Sequence, residues 1–167
     1  MGVIFIILSR FKNRGGNQGE VIVSEHNYFS RLWLWPEGDY TRWEAEFDSE
    51  SIFADNGIIA LYAEDNYKVV LDPEPTKEEI AFCEKYLSDL SLLFSVAHEG
   101  VRLGWKEWFN EELPVNWKNK FKINGFSVPV KGDFNSYWLI TIYCPKAGHY
   151  FNIGLEKGKA NLESVDG

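Results

Sequence analysis

At 167 residues and a net charge of −8, with 45% hydrophobic and 16% aromatic residues, the chain is too apolar to stay disordered. It is long enough to bury roughly 70% of the surface its unfolded form would expose. The acidity excludes a nucleic-acid partner, because phosphates are repelled, so the aromatic residues are not read as a base-stacking platform. The local set Lys118, Lys120, Lys122 and Lys131 is read as a solvated strand edge. One domain over 1–167 is expected, with 1–41 as an N-terminal extension or extra strands. Two cysteines, Cys83 and Cys144, cannot build a disulfide framework, and buried free thiols in a reducing cytoplasm are the expectation.

The start, MGVIFIILSRFKNRGG, has no basic region ahead of its apolar run and no small-residue cleavage site after it. The run falls far short of the ~20 residues that cross a bilayer. Ile6 stands where a myristoylation pattern requires Ser or Thr. A buried strand over 3–8 is expected, then a Gly-rich loop over 10–19 and a short strand over 21–24. Residues 28–35, YFSRLWLW, read as a strand covered on both faces, and Pro36, Gly38 and Asp39 as the turn after it. Residues 42–47 alternate, with Trp43, Ala45 and Phe47 on one face and Arg42, Glu44 and Glu46 on the other, so a half-buried strand with solvated carboxylates is predicted. The apolar runs 58–63 and 67–71, joined by Glu64-Asp65-Asn66, predict a hairpin.

Residues 75–110 carry the longest periodicity. Ile80, Cys83, Leu87, Leu90, Phe94, Ala97, Val101, Trp105 and Trp108 recur every three or four residues and draw one apolar helical stripe. Thr76 and Glu79 have capping-box spacing, Pro73 and Pro75 keep the preceding chain extended, and Glu78 and Glu79 sit at the positive end of the macrodipole. Lys85 and Asp89 have the spacing of a weak surface pair. Gly100 and Gly104 each cost a helix roughly 1 kcal/mol against Ala, so a kink or break near Gly100 and a second short helix over 105–111 are expected. Pro114 stops the helix. A weak strand follows over 125–130, which Pro129 confines to an edge or an end. The strands 137–143, 150–155 and 160–165 are joined by short turns and predict an antiparallel meander. The fold class is therefore α+β: an antiparallel sheet, with a strand-rich N-terminal part and a C-terminal three-strand meander, packed by one long, kinked central helix.

Chemical motifs are scarce. His98-Glu99 begins like a zinc-protease motif, but Arg102 occupies the position of the second His. Three His and two Cys have no metal-ligand spacing, so no metal or cofactor is implied. There is no phosphate loop and no nucleophile elbow. Cys144 and His149 stand near each other and are the residues a small hydrolase or thiol enzyme would use. The simpler reading makes 145–148 a turn over a packed thiol. Motif scarcity moves the expectation from an enzyme toward a binding module, with an apolar small-ligand pocket between helix and sheet as an alternative.

Trp43 in a polar strand, the strand pair over 58–71, the Pro-Thr-x-x-Glu helix leading to Trp105 and Trp108, and the tail YWLITIYCPKAGHYFNIGLEKGKANLESVDG together resemble a group of small acidic bacterial proteins of unknown function. The resemblance covers 42–167, includes the pair Gly148-His149 and the final Gly167, and carries no catalytic residue. Some members of such groups look like immunity proteins encoded beside toxins, which implies inhibition by direct binding. An acidic surface would steer a basic toxin domain, and aromatic side chains would anchor it. The candidate acids are Glu44, Glu46, Asp48, Glu50, Asp55, Glu64 and Asp65, and the candidate anchors are Trp33, Trp35 and Trp43. The expected protein is cytoplasmic, a monomer or homodimer, with a protein partner and no membrane contact.

Overall fold

A computed structural model describes residues 22–35, 42–64 and 74–167, with backbone alone at Ile22, Trp35 and Arg42. The expected strand over 3–8, the loop over 10–19, the turn after residue 35, the second hairpin strand over 67–71, and Asp65 lie outside the described residues.

The described strands are β1 (Ile22–Ser24), β2 (Arg31–Trp35), β3 (Arg42–Asp48), β4 (Ile58–Ala63), β5 (Lys122–Val128), β6 (Trp138–Cys144), β7 (His149–Glu156) and β8 (Lys159–Asp166). They form one eight-stranded sheet in sequence order. Neighbours pair antiparallel except β4 and β5, which are parallel. Parallel neighbours need a crossover, and here it carries two helices, α1 (Lys77–Leu87) and α2 (Ser91–Phe109). The fold is α+β, with four antiparallel strands on each side of that crossover. The C-terminal meander thus has one strand more than the three predicted, and both edges of β4 are taken, by β3 and β5.

Register separates the two faces. Leu32, Ala45, Leu61, Phe126, Ile140, Ile153 and Leu162 are successive cross-strand partners from β2 to β8. One residue along each strand, and two along β8 where the β7–β8 ladder has a bulge, the partners are Arg31, Glu46, Ala60, Gly125, Thr141, Asn152 and Ser164. Because side chains alternate across a strand, the first row is apolar and the second small or polar. The helices contact the apolar side: Phe82 and Tyr86 of α1 lie 5.0 and 5.3 Å from the Trp138 ring. A Cβ on Gly100 of α2 would stand 2.4 Å from Ile153 Cγ2.

One long helix kinked at Gly100 is not what forms. The break falls at residues 88–90, and α2 runs unbroken through both glycines. At the break the Asp89 carboxylate accepts the Ser91 N–H at 2.9 Å, a local bond of the kind that competes with helix propagation. Asp89 is therefore engaged by Ser91, while Lys85 lies over the Tyr86 and Phe134 rings at 5.1 and 5.5 Å. Gly100 and Gly104 are contact points, since a Cβ on Gly104 would meet Phe151 at 2.9 Å and Leu162 at 3.1 Å. The apolar stripe is buried from Cys83 to Trp105, but Ile80 is half-buried and Trp108 is exposed. Pro129 directly follows β5, which is an interior strand ended by a proline rather than an edge.

Candidate functional site

The sequence points to two regions, the acidic strand β3 with the tryptophans of β2 and β3, and the Cys144/His149 pair. In β3 the alternation is as predicted, but the carboxylates are not solvated: Glu44 and Glu46 are both 7% exposed. Glu44 lies in register between Trp33 and Tyr62, and Glu46 accepts a salt bridge from Arg31 at 3.4 Å. Asp48 and Glu50 are exposed, Glu64 and Trp33 are half-buried, and Asp55 is buried. Trp43 is a core residue rather than a surface anchor, and its indole N–H donates to Glu79 Oε2 at 3.2 Å. Sequence spacing shows which face a strand residue takes, but not what lies above that face.

The capping box that the spacing of Thr76 and Glu79 predicts is present. Glu79 Oε2 accepts the Thr76 N–H at 2.9 Å, while Thr76 Oγ1 accepts the Glu79 N–H at 3.2 Å. The same carboxylate also accepts the Trp43 indole and, through Oε1, the Lys131 N–H at 3.3 Å. These long-range partners have no local signature.

Cys144 and His149 close the β6–β7 hairpin as register partners. Directly opposite residues share a face, so the two side chains leave the sheet on the same side. Gly148 takes φ 71° in the connecting turn, and the N–H groups of Ala147 and Gly148 donate to the Cys144 carbonyl at 3.1 and 2.9 Å. The chemistry is nevertheless unfavourable. Burial pushes the Cys144 thiol up, more than the amides of Ala147 and Lys146 and the Lys146 charge pull it down. A thiol held neutral is a poor nucleophile. His149 Nδ1 is buried with no hydrogen-bond partner among the described residues, and its ring lies against Trp108, centroids 4.7 Å apart. Cys83 is raised further, first by burial and then by Glu79.

A third polar group lies on the face away from the helices. Thr141 donates to Asn152 at 2.9 Å, and Asn152 donates to Ser164 at 2.9 Å and to Asp166 at 2.6 Å. Beside them Asp55 accepts long bonds from Asn124 and Tyr150, both 3.5 Å. Burial raises the Asp55 carboxyl, while Asn124, Tyr150 and the Lys122 charge oppose it. Among the described residues no group of three or more His, Cys, Asp and Glu is arranged to hold a metal ion. No described helix is long and apolar enough to cross a membrane.

The chain matches no family model, no curated protein and no solved structure.

Proposed function

We propose that the chain is a non-enzymatic protein-binding module, an immunity-like inhibitor of a basic bacterial toxin domain that works in the cytoplasm. The observation that supports this best is where the surplus negative charge sits. Beyond Asp48 and Glu50, the exposed carboxylates include Glu78, Glu84, Asp89, Glu99, Glu107, Glu111 and Glu112 along the helical layer, in a chain of net charge −8. Such a surface accelerates encounter with a basic partner and disfavours acidic ones. The buried acids Glu44 and Glu46 are the less suitable contacts. The test uses the tagged full chain as bait in its source cell at low and at high salt. One basic protein, released by salt, is the expected capture; an acidic partner, or none at either salt, removes the reading.

A second reading, a thiol enzyme through Cys144 and His149, is favoured by their register pairing. Its discriminating measurement is alkylation of the folded protein by iodoacetamide at pH 7. Rapid single-site modification of Cys144 would support the enzyme, and resistance until denaturation would remove it.

A further inference from the structure

The apolar stripe of α2 runs to the end of the sheet beneath it, with Gly100 over Ile153, Gly104 over Phe151 and Trp108 over His149. Trp105 is 1% exposed, with its ring 4.4 Å from Phe109 and 5.8 Å from Phe121. Trp108, one turn on, is 46% exposed, the largest exposure among the described tryptophan side chains. The strand below it begins at His149, whose ring packs edge-on against the indole. Gly167 backs that imidazole so closely that a Cβ there would fall 1.6 Å from Nδ1. The indole is thus held on one side and open on the other. A rigid aromatic ring of this kind loses little entropy when it is covered, which is the property of an interface anchor.

Its surroundings carry a charge of the unexpected sign. Glu107, Glu111 and Glu112 are all exposed around the carbonyl end of α2, which closes on Asn110 in the left-handed conformation. That end of a helix is already partly negative, so carboxylates there are unfavourable for the free protein. Lys106 pairs with Glu112 at 2.8 Å, and Lys146 pairs with Glu111 at 2.9 Å while lying over Phe109 at 4.1 Å. Among the described residues no cation pairs with Glu107.

We infer that the exposed face of Trp108, at the end of α2 that also carries the exposed Glu107, Glu111 and Glu112, is the docking point for an arginine on the basic partner protein. A guanidinium suits this place: it stacks on an aromatic face, which an ammonium does less well, and the surplus carboxylates around the helix end draw its charge. Nucleic acid, the other common ligand of an exposed indole, is disfavoured by the same carboxylates. The placement rests on the protein-binding reading and moves the anchor from Trp33, Trp35 and Trp43 to the end of α2.

The test follows the indole N–H resonances of the nitrogen-15-labelled full chain during titration with acetyl-tetra-arginine amide, tetra-lysine and tetra-glutamate at low salt. Tetra-arginine is expected to move the Trp108 indole first, to bind more tightly than tetra-lysine, and to weaken about tenfold in Trp108→Ala. Tetra-glutamate is expected to do nothing. The double variant E107Q/E111Q, confined to exposed side chains, is expected to weaken binding several-fold, and it carries the test if Trp108→Ala does not fold. Shifts spread over the acidic surface with Trp108 unmoved, or equal binding by the double variant, overturn the placement. Captured basic protein with no Trp108 response sinks the placement alone, whereas a Trp108 response with no protein captured sinks the functional reading alone.

Discussion

Glu79 joins three parts of the chain through one carboxylate: the first turn of α1, strand β3 through Trp43, and the segment after β5 through Lys131. Replacing it by Ala removes the cap and leaves a buried indole N–H without its acceptor. The expected loss is about 2–4 kcal/mol, read as a lower urea midpoint. Glu79→Gln should cost less, since its amide oxygen can still accept. Asp55 is the opposite case, a buried carboxyl whose contacts are long and whose folded pKa is raised. Between its unfolded value, near 4, and that raised value the folded state holds more protons than the unfolded state, so stability falls as pH rises through this window. Asp55→Asn should remove that component and leave the protein at least as stable as wild type at pH 7. Thermal melts from pH 3 to 8 check it, and a variant less stable than wild type at pH 7 would show that the carboxylate is needed in its charged form.

At the scale of elements, the helical segment shows what could be read in advance and what could not. Thr76 and Glu79 announced the start of α1, and the stripe from Cys83 to Trp105 announced the buried face, because capping and helical period are local properties. The strands at 58–63 and near 42–47, 137–143, 150–155 and 160–165 were legible for the same reason. The break lies at residues 88–90 and not at Gly100, because a glycine in a helix marks either low propensity or close approach, and the partner surface decides which. The same holds for the carboxylates of β3: the period gives the face, and cover comes from distant chain. Of the sites, the short turn placed Cys144 at the end of one strand and His149 at the start of the next but left open whether they pair across it, and the exposure of Trp108 depends on where the sheet ends. A paired substitution tests the close approach. Gly100→Ala gains about 1 kcal/mol of helix propensity but places Cβ against Ile153 and the Asn161 backbone, so a net loss of about 1–2 kcal/mol is expected. That loss should shrink in an Ile153→Ala background, as a double-mutant cycle would show. Gly104→Ala meets only side-chain ends on Phe151 and Leu162, and its stability should stay within about 1 kcal/mol of wild type.

At the scale of the molecule, two antiparallel groups of described strands are continuous through the parallel ladder between β4 and β5. That ladder joins segments separated by the whole helical region, so its loop-closure entropy is met before its contacts form, and it depends on helices and strands assembling together. Gly125 opens it, beside a bulge at residues 123–125, in register with Ala60 on one side and Thr141 on the other. A Cβ at Gly125 would lie 2.3 Å from the Ala60 carbonyl oxygen and 3.0 Å from its carbon. Both are backbone atoms, so no side-chain rotation relieves the clash and the two strands must separate. Gly125→Ala is therefore expected to cost about 3 kcal/mol, more than Gly100→Ala, where the nearest atoms belong to a side chain. The distribution of the damage is more informative than its size. If the ladder makes one cooperative unit of the sheet, amide exchange in the variant should accelerate together in β3–β4 and in β6–β7, although neither pair contains the substitution. Faster exchange confined to β5 and its immediate neighbours would mean that the two halves hold their structure independently, and that the parallel ladder is a contact between them rather than the joint on which both depend.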